Sequence, residues 1–252
     1  MTVLGDADLY LRGAETLLAS WEEDARGATG AAVHRFPGVA TAVFANEPER
    51  AVYNSALLER DLAAGERAVA LDAMDAAYAA AGVTRFAAWV HERDVAMRTD
   101  LERRGYRLDT STLAMGMALD DIRLLRPEIE LGPPDWLEYL RIIGVPPNFL
   151  SGADPAAYHV VVARLHGENV ATGMAFDLDG DCGIYNVTTL EHARRRGLGT
   201  ALTALLAHDA FVRGCQTASL QSTEKAERVY AAVGFRDLGR ILEYVPQATA
   251  YS

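Results

Sequence analysis

The predicted secondary structure of residues 31–119 recurs in the same order in residues 158–245. In the first stretch, apolar periodicity and turn residues predict two strands in 31–44, a helix in 55–82, a strand in 83–90, a helix in 94–105 and a strand in 110–119. In the second, they predict strands in 158–165, 170–179 and 183–190, a helix in 191–213, a strand in 217–222, a helix in 223–234 and a strand in 240–245. We therefore expect two tandem copies of one α/β unit.

The boundary between the two copies is predicted near residue 122. The segment DDIRLLRPEIELGPP contains four residues that interrupt regular structure: Pro127, Gly132, Pro133 and Pro134. The 252 residues are enough for two units, each with a core of its own. One domain is therefore expected in residues 1–122 and the other in 123–252.

The composition is that of a soluble globular protein, with 50% apolar and 23% charged residues. A net charge of −11 argues against nucleic acid or an anionic membrane as a partner. The two cysteines, Cys182 and Cys215, have neither zinc-site nor redox spacing. The N-terminus lacks the sustained apolar core of a signal peptide, and no stretch is long enough to span a bilayer. We expect a cytoplasmic protein.

Three arginines, Arg194–Arg196, directly precede Gly197-Leu198-Gly199 and a helical pattern. Cations are unfavourable at a helix N-terminus by about 0.3–1 kcal/mol each, unless an anion lies there too. A strand, a glycine-rich turn and a helix start form a site where free N–H groups bind phosphate. A solvated basic turn is the alternative. The third Rossmann glycine and the Walker lysine are both absent, which weakens both nucleotide-binding interpretations.

Two motifs resemble the GCN5-related N-acetyltransferase (GNAT) superfamily. Its Arg/Gln-x-x-Gly-x-Gly/Ala turn is matched by Arg194–Gly199, and its Ala-x-x-x-Tyr-x-x-x-Gly-Phe helix by Ala226–Phe235. The resemblance covers residues 158–245 well and the first half only in outline. It implies two tandem GNAT-like units, each a mixed, mostly antiparallel sheet flanked by helices, and it implies acetyl-CoA as the co-substrate.

The resemblance also implies which residues bind acetyl-CoA. The pyrophosphate is expected on the turn at Arg194, Arg195, Arg196, Gly197, Leu198, Gly199 and Thr200. The pantetheine arm is expected along the preceding strand at Val187, Thr188 and Thr189. Thr223 stands where the family has an asparagine that bonds the cofactor arm. We retain Thr223 as a cofactor-binding position, although this departure leaves its hydrogen bonds open.

Tyr230 is the expected catalytic residue, because the family assigns to this tyrosine the protonation of the departing thiolate. A phenol with a pKa near 10 protonates a thiolate with a pKa near 8.5 at a cost of about 2 kcal/mol. Tyr230 therefore needs a lowered pKa, or it acts chiefly as a hydrogen-bond donor. The alternative is core packing, since Tyr230 shares a helical face with Ala226, Val229 and Val233.

The first half of the chain lacks both the phosphate-binding turn and the tyrosine. Leu101 stands at the position that matches the tyrosine, four residues before the closing glycine. Gly65-Glu66 places an acid where a phosphate turn is expected, which repels phosphate. We therefore expect residues 1–122 to form a degenerate GNAT-like domain that binds no CoA.

The sequence indicates the residues of the acceptor pocket less directly than those that bind acetyl-CoA. The resemblance implies that the region around 135–150 closes over the acceptor, with lining candidates Trp136, Tyr139, Asn148 and Phe149. Core packing is an equal alternative for them. Glu138 is a possible base that no spacing singles out. The DLDGDCG segment fails the calcium-loop register, so we expect a hairpin turn and no metal.

Two functions follow. The first is an acetyl-CoA-dependent N-acetyltransferase acting on a primary amine of a small molecule or peptide, as a monomer or homodimer. The second is an acyl-CoA-binding sensor or regulatory module without turnover. Tyr230 and the intact glycines favour the enzyme, whereas Thr223 and the missing base keep the module open.

Overall fold

The computed structural model describes residues 4–46, 53–146 and 152–247. The helices within these ranges are α1 (Asp6–Gly27), α2 (Ala64–Ala80), α3 (Val95–Arg103), α4 (Trp136–Ile143), α5 (Leu198–Arg213) and α6 (Glu227–Val233). The strands are β1 (Ala31–Phe36), β2 (Val39–Phe44), β3 (Ser55–Leu58), β4 (Ala87–His91), β5 (Tyr106–Ala118), β6 (His159–Leu165), β7 (Glu168–Leu178), β8 (Asp181–Thr189), β9 (Thr217–Ser222) and β10 (Arg236–Pro246).

The chain divides into two compact units. Unit 1 comprises residues 1–23 and 113–238, and unit 2 comprises residues 24–112 and 239–252. Each unit therefore takes residues from both sides of the boundary predicted near 122. The end of β5 belongs to unit 1 and most of β10 belongs to unit 2, so each sheet receives its final strand from the other half of the chain.

The sheet of unit 1 has the strand order β5-β9-β8-β7-β6. Strands β8 and β9 are parallel, and the other three neighbouring pairs are antiparallel. This is the mixed, mostly antiparallel sheet that the sequence predicts. A core of alternating strand residues packs under α5 and α6, and it includes Met115, Ile184 and Leu220.

Helix α5 fixes this core through its leucines. Leu202, Leu205 and Leu206 are each at most 1% exposed, and burying one leucine side chain stabilises a fold by about 1.5–3 kcal/mol. The helix ends at Gly214, which adopts a left-handed conformation with φ of 100° and caps the last turn. Cys182 and Cys215 are free and buried in this core, and burial raises the pKa of Cys215 to about 11.

Helix α1 packs on unit 1 through small residues. A Cβ atom added to Gly13 would lie 2.7 Å from Cβ of Ser219 in β9, and one added to Gly116 of β5 would lie 3.3 Å from Cβ of Leu9. Glycine at these two places permits the helix to approach the strands closely. The sequence pattern predicts no element for this segment, so α1 is an addition to the predicted order.

The sheet of unit 2 has the strand order β1-β2-β3-β4-β10. Here β3 and β4 are the parallel pair, and the remaining neighbours are antiparallel. Its core lies under α2 and α3, with Leu71, Met74 and Tyr78 each at most 1% exposed. The Tyr78 hydroxyl donates a hydrogen bond to the Ala42 carbonyl at 3.1 Å.

The prediction of one helix over residues 55–82 is wrong at its start. Ser55–Leu58 form strand β3, and α2 begins only at Ala64. All four residues of β3 are buried, and the strand is hydrogen-bonded to β2 on one side and β4 on the other. Alanine and leucine favour helix locally, but this pairing and burial outweigh a preference of a few tenths of a kcal/mol per residue, roughly.

Candidate active site

The parallel pair β8 and β9 stays together for a short distance only. The two strands pair from Asp181 with Thr217 to Gly183 with Ser219, and no further. On its other side β8 remains paired with β7 as far as Thr189. Beyond Gly183 the edge of β8 is therefore not paired with β9, and we call this separation of the two strands the gap. An unpaired strand edge of this kind can bind an extended ligand as an added strand, and the predicted positions 187–189 lie on it, half-buried.

A β-bulge lies in β8 next to this gap. Tyr185 pairs with Met174, whereas Thr188 pairs with Thr172, so β8 contains one residue more than its partner. Asn186 occupies the bulge with φ of 55°. Asn186 is not among the site residues that the sequence predicts. The available signal was its type, because asparagine is one of the few non-glycine residues that tolerate positive φ.

The predicted phosphate turn connects β8 to α5. A short 3-10 turn (Glu191–Ala193) is followed by Arg195 with φ of 63° and Gly197 with φ of 78°. The first backbone bond of the helix runs from Ala201 N–H to the Gly197 carbonyl, and Gly197 provides no side-chain cap. Among the described residues, the N–H groups of 198–200 therefore have no partner. They form a potential anion site at a positive helix end.

The three arginines of the turn are exposed. Arg194 Nε donates a hydrogen bond to the Thr189 carbonyl at 3.1 Å, which ties the turn to the end of β8. In the part of the chain that the structure describes, none of the three forms an ion pair with an acid. The first turn of α5 also contains no acidic residue. The positive charge at this helix end is thus not neutralised by the residues described.

Tyr230 lies on α6, which packs against α5. The side chain is 8% exposed and belongs to the core of unit 1, with the Phe235 ring at 6.3 Å between centroids. Burial raises the pKa of Tyr230. Its hydroxyl has no hydrogen-bond partner among the described residues. The ring of Tyr230 is thus part of the core, and its hydroxyl is available as a donor; the catalytic role stays a prediction.

The turn and α6 lie close together. A Cβ atom added to Gly199 would be 3.8 Å from Cγ1 of Val229, the residue before Tyr230. Between β9 and α6, the exposed Thr223 accepts hydrogen bonds at its carbonyl from Ser222 Oγ at 2.8 Å and from Ala226 N–H at 2.9 Å. The fold therefore brings the predicted phosphate and phenol positions to neighbouring helices.

Trp136 and Tyr139, two of the predicted acceptor residues, lie on α4. Trp136 stacks between Tyr139, at 5.1 Å, and Tyr158, at 5.3 Å, measured between ring centroids. Tyr139 is only 1% exposed, and its hydroxyl accepts a hydrogen bond from Asn186 Nδ2 at 2.7 Å. Packing thus accounts for Tyr139 more directly than contact with an acceptor does. The other two acceptor positions, Asn148 and Phe149, lie outside the described residues.

Glu138 is bound tightly by another residue of the same helix. Arg141 donates from Nε and from Nη2 to its carboxylate, each at 2.7 Å. This hydrogen bonding lowers the pKa of Glu138. A lowered pKa makes a carboxylate a weaker base. The geometry therefore argues against Glu138 as the base that prepares an amine.

Unit 2 has acids where unit 1 has an open turn. At the start of α2, the Glu66 carboxylate accepts a hydrogen bond from Ala63 N–H at 2.8 Å. Asp94, before α3, accepts from Asp61 N–H at 3.3 Å and from Met97 N–H at 3.0 Å. The position that corresponds to the tyrosine is Leu101, which is fully buried. Protein carboxylates thus occupy the helix ends of this unit.

Unit 2 also contains an unusual carboxyl group. Glu243 of β10 is partly buried and lies opposite Trp89 of β4 in the antiparallel ladder. Burial, with a smaller contribution from nearby Asp109, raises the pKa of Glu243 to about 7. This carboxyl group is therefore about half protonated at neutral pH.

Within the described ranges, no group of three or more histidine, cysteine, aspartate or glutamate side chains lies in a position to bind a metal ion. Likewise, none of the described helices combines the length and the apolar character needed to cross a bilayer.

Comparisons with known proteins were made at the level of sequence families and of solved structures. Residues 123–235 match the model of the acetyltransferase (GNAT) family. This part of the chain is similar to GNAT acetyltransferase domains. It lies within unit 1 and contains the turn, α5, the gap beside β8 and α6 with Tyr230. Proteins of the GNAT family in general use acetyl-CoA as acetyl donor.

Solved structures share the fold along nearly the whole chain. A GCN5-related N-acetyltransferase from Kribbella flavida is 19% identical, with 95% of this chain and 96% of that chain covered and a TM-score of 0.70. One from Sphaerobacter thermophilus is 17% identical, with coverages of 92% and 84% and a TM-score of 0.60. A tandem GNAT protein from the clavulanic acid biosynthesis pathway is 13% identical, with coverages of 99% and 98% and a TM-score of 0.60.

These structural similarities confirm the predicted fold class, two tandem GNAT-like units, because the tandem protein aligns over both halves of the chain. A search of curated protein sequences found none that matches.

Proposed function

We propose that this protein is an acetyl-CoA-dependent N-acetyltransferase that acetylates a primary amine of a small molecule or peptide. The observation that carries the proposal is the turn before α5. Its unpartnered N–H groups and three cations without acidic partners lie at the open end of the gap between β8 and β9. Such a site favours a diphosphate joined to an extended arm, which is the shape of CoA.

In this proposal the turn binds the pyrophosphate. The N–H groups of residues 198–200 donate to its oxygens, and Arg194, Arg195 and Arg196 supply the opposite charge. The anion offsets the unfavourable placement of cations at a helix N-terminus, which amounts to about 0.3–1 kcal/mol for each arginine. The pantetheine arm extends along the edge of β8 at Val187, Thr188 and Thr189, and it passes the loop at Thr223.

The reaction forms a C–N bond and breaks the thioester C–S bond. The acceptor amine, with a pKa near 10.4 in water, first loses a proton. It then attacks the carbonyl carbon, and the negative oxygen is stabilised by a backbone N–H of β8 at the bulge. Collapse of this intermediate expels the CoA thiolate. The amine's remaining excess proton leaves to solvent, and the thiolate accepts a hydrogen bond or a proton.

Tyr230 is the proposed donor to this thiolate. Burial raises its pKa above 10, so full proton transfer to a thiolate with a pKa near 8.5 costs at least about 2 kcal/mol. A hydrogen bond from the neutral phenol carries no such cost. We therefore assign Tyr230 the role of a hydrogen-bond donor that stabilises the leaving thiolate, and the hydroxyl's lack of another partner in the described structure supports this role.

We further propose that unit 2 binds no CoA. Glu66 places negative charge at the start of α2, the helix end that corresponds to the phosphate turn of unit 1, and it already accepts the Ala63 N–H group. A carboxylate at this position repels a diphosphate. The residue in the place of the phenol, Leu101, cannot donate a hydrogen bond.

One observation favours the second function, an acyl-CoA-binding module without turnover. Glu138, the base that the sequence offered, is neutralised by Arg141 and its pKa is lowered. A chain that binds acetyl-CoA but cannot deprotonate an amine would act as a sensor. Thermal shift with acetyl-CoA, followed by thiol release across a panel of primary amines, separates the two functions. Binding with release identifies the enzyme, binding without release identifies the module, and no binding excludes both.

Two substitutions test the roles of the site residues. Tyr230→Phe is expected to lower kcat by about tenfold or more, by loss of one hydrogen bond in the transition state, with little change in the Kd of acetyl-CoA. Tyr78→Phe is the matched control, since it also removes a buried hydroxyl but lies in unit 2. An equal loss of kcat and of acetyl-CoA affinity in Tyr230→Phe would indicate that Tyr230 only packs in the core.

Gly197→Trp is expected to abolish acetyl-CoA binding, because the indole would fill the open space above the turn. Gly82→Trp is the control, since Gly82 also has positive φ, of 68° against 78°, and open space around it. Both substitutions strain the backbone by a similar amount, so a loss of binding confined to Gly197→Trp identifies the site. Unchanged binding in Gly197→Trp would contradict the proposed phosphate position.

A further inference from the structure

Asn186 and Tyr139 connect α4 to the strand that borders the gap. Asn186 Nδ2 donates a hydrogen bond of 2.7 Å to the Tyr139 hydroxyl, and Tyr139 is 1% exposed. Asn186 lies in the bulge of β8 with φ of 55°. The bond thus joins a buried, fixed ring to the residue of β8 whose backbone departs from a regular strand.

The bulge has an energetic cost that this bond offsets. A left-handed conformation costs a residue other than glycine roughly 1–2 kcal/mol, although asparagine is more tolerant than most. A net hydrogen bond contributes about 0.5–1.5 kcal/mol, which is comparable. Without the bond, a regular pairing of β8 with β7 becomes more competitive, and a shift of one residue turns every following side chain and N–H group to the other side.

Helix α4 is itself held in place. Asp135 caps its N-terminus by accepting from Glu138 N–H at 3.1 Å. Arg141 donates to the Asn169 carbonyl of β7 at 3.3 Å. The Tyr139 ring stacks on Trp136, at 5.1 Å between centroids. The hydroxyl is therefore presented to β8 from a helix whose position is fixed by several contacts.

We propose that Tyr139 is a positioning residue: its hydroxyl holds Asn186 in the bulge and so fixes the direction of the β8 backbone N–H groups that face the acyl carbonyl. This inference rests on the proposed acetyltransferase function. It gives Tyr139 a role different from lining the acceptor pocket, and it gives Asn186 a role that no sequence motif assigns.

The first test is structural and independent of activity. Hydrogen exchange of the segment 184–190 is measured in the free protein for the wild type, Tyr139→Phe and Tyr158→Phe. Loss of a hydrogen bond that holds the bulge is expected to speed exchange of this segment by about fivefold to tenfold in Tyr139→Phe. Tyr158→Phe, which removes a hydroxyl from the same aromatic stack, is expected to leave it unchanged. Unchanged exchange in Tyr139→Phe overturns the inference.

The second test separates positioning from general destabilisation. Tyr139→Phe is expected to lower kcat by about fivefold to tenfold while the Kd of acetyl-CoA and the KM of the amine stay within twofold, because the oxyanion forms only in the transition state. Asn186→Ala removes the donor and, unlike glycine, still carries the cost of positive φ. It is expected to lower kcat similarly, and the double variant should be no worse than either single one.

The outcomes distinguish this inference from the proposed function. If the wild type binds no acetyl-CoA and releases no thiol, the proposed function fails, and the hydrogen exchange data still report whether the hydroxyl holds the bulge. If the wild type is active and Tyr139→Phe keeps its kcat, or the two substitutions are additive, Tyr139 is not a positioning residue.

Discussion

Replacing Glu243 by glutamine is expected to stabilise the protein at alkaline pH and to leave its stability unchanged in acid. Glutamine has the shape of the protonated carboxyl group but cannot ionise. The pKa of Glu243 is raised from 4.5 to about 7 by burial, with a smaller effect of Asp109. A rise of this size, at about 1.4 kcal/mol per pKa unit, corresponds to about 3 kcal/mol. Solvent screening at the partly exposed carboxyl group reduces the expected effect to about 1–3 kcal/mol.

The sign follows from proton binding. Below pH 4.5 the carboxyl group is protonated in both the folded and the unfolded chain, so it does not affect the free energy of unfolding. Between pH 4.5 and about 7 the folded protein retains a proton that the unfolded chain has lost, and stability therefore falls as the pH rises. Above pH 7 the loss is complete, since the folded protein then buries a charge.

The assay is urea unfolding of both proteins at about pH 3.5, one unit below the ordinary pKa of glutamate, and at pH 8, followed by tryptophan fluorescence. All other titrating groups are common to both proteins, so the difference between them isolates Glu243. Glu59→Gln, at an exposed site in unit 2, serves as the control and should show no pH-dependent difference. An equal effect of Glu243→Gln at both pH values, or none at pH 8, would refute the argument from burial.

Two other predictions follow from contacts described above. Asp94→Ala removes the acceptor for Met97 N–H and Asp61 N–H. It is expected to lower the free energy of unfolding by about 1–2 kcal/mol and to leave the Kd of acetyl-CoA, measured by calorimetry, unchanged. A weaker Kd would place cofactor binding in unit 2. The Cys215 thiol has a pKa of about 11. It is therefore expected to react with iodoacetamide at pH 8 roughly 100-fold more slowly in the folded protein than in urea. Mass spectrometry measures both rates, and equal rates would contradict the burial of Cys215.

The strand, turn and helix around residues 194–199 could be predicted because short motifs mark them. Gly197 has a φ of 78°, which glycine adopts readily, and the three arginines of the turn are exposed. The order of most strands and helices also follows from local periodicity. These features depend on residues close in sequence, so one sequence is enough to find them.

The remaining features depend on contacts between residues distant in the chain. The segment Ser55–Leu58 has helical propensity, and it forms a strand because two neighbouring strands pair with it. The bulge at Asn186 exists relative to β7 and has no signature in β8 alone. The division of the chain at residue 122 assumed that consecutive residues form a unit, whereas sheets can recruit strands from far away.

The exchange of final strands has a consequence for synthesis on the ribosome. Unit 2 begins at residue 24, but the strand that pairs with β4 belongs to the segment after residue 239, which is made more than 120 residues after Thr112. The strand that unit 1 takes from the first half of the chain, residues 113–118 of β5, is synthesised before the other strands of its sheet. Unit 2, most of which is translated first, therefore cannot complete its sheet until β10 has been synthesised. In a nascent chain stalled before β10, the edge of β4 that pairs with β10 would remain unpaired.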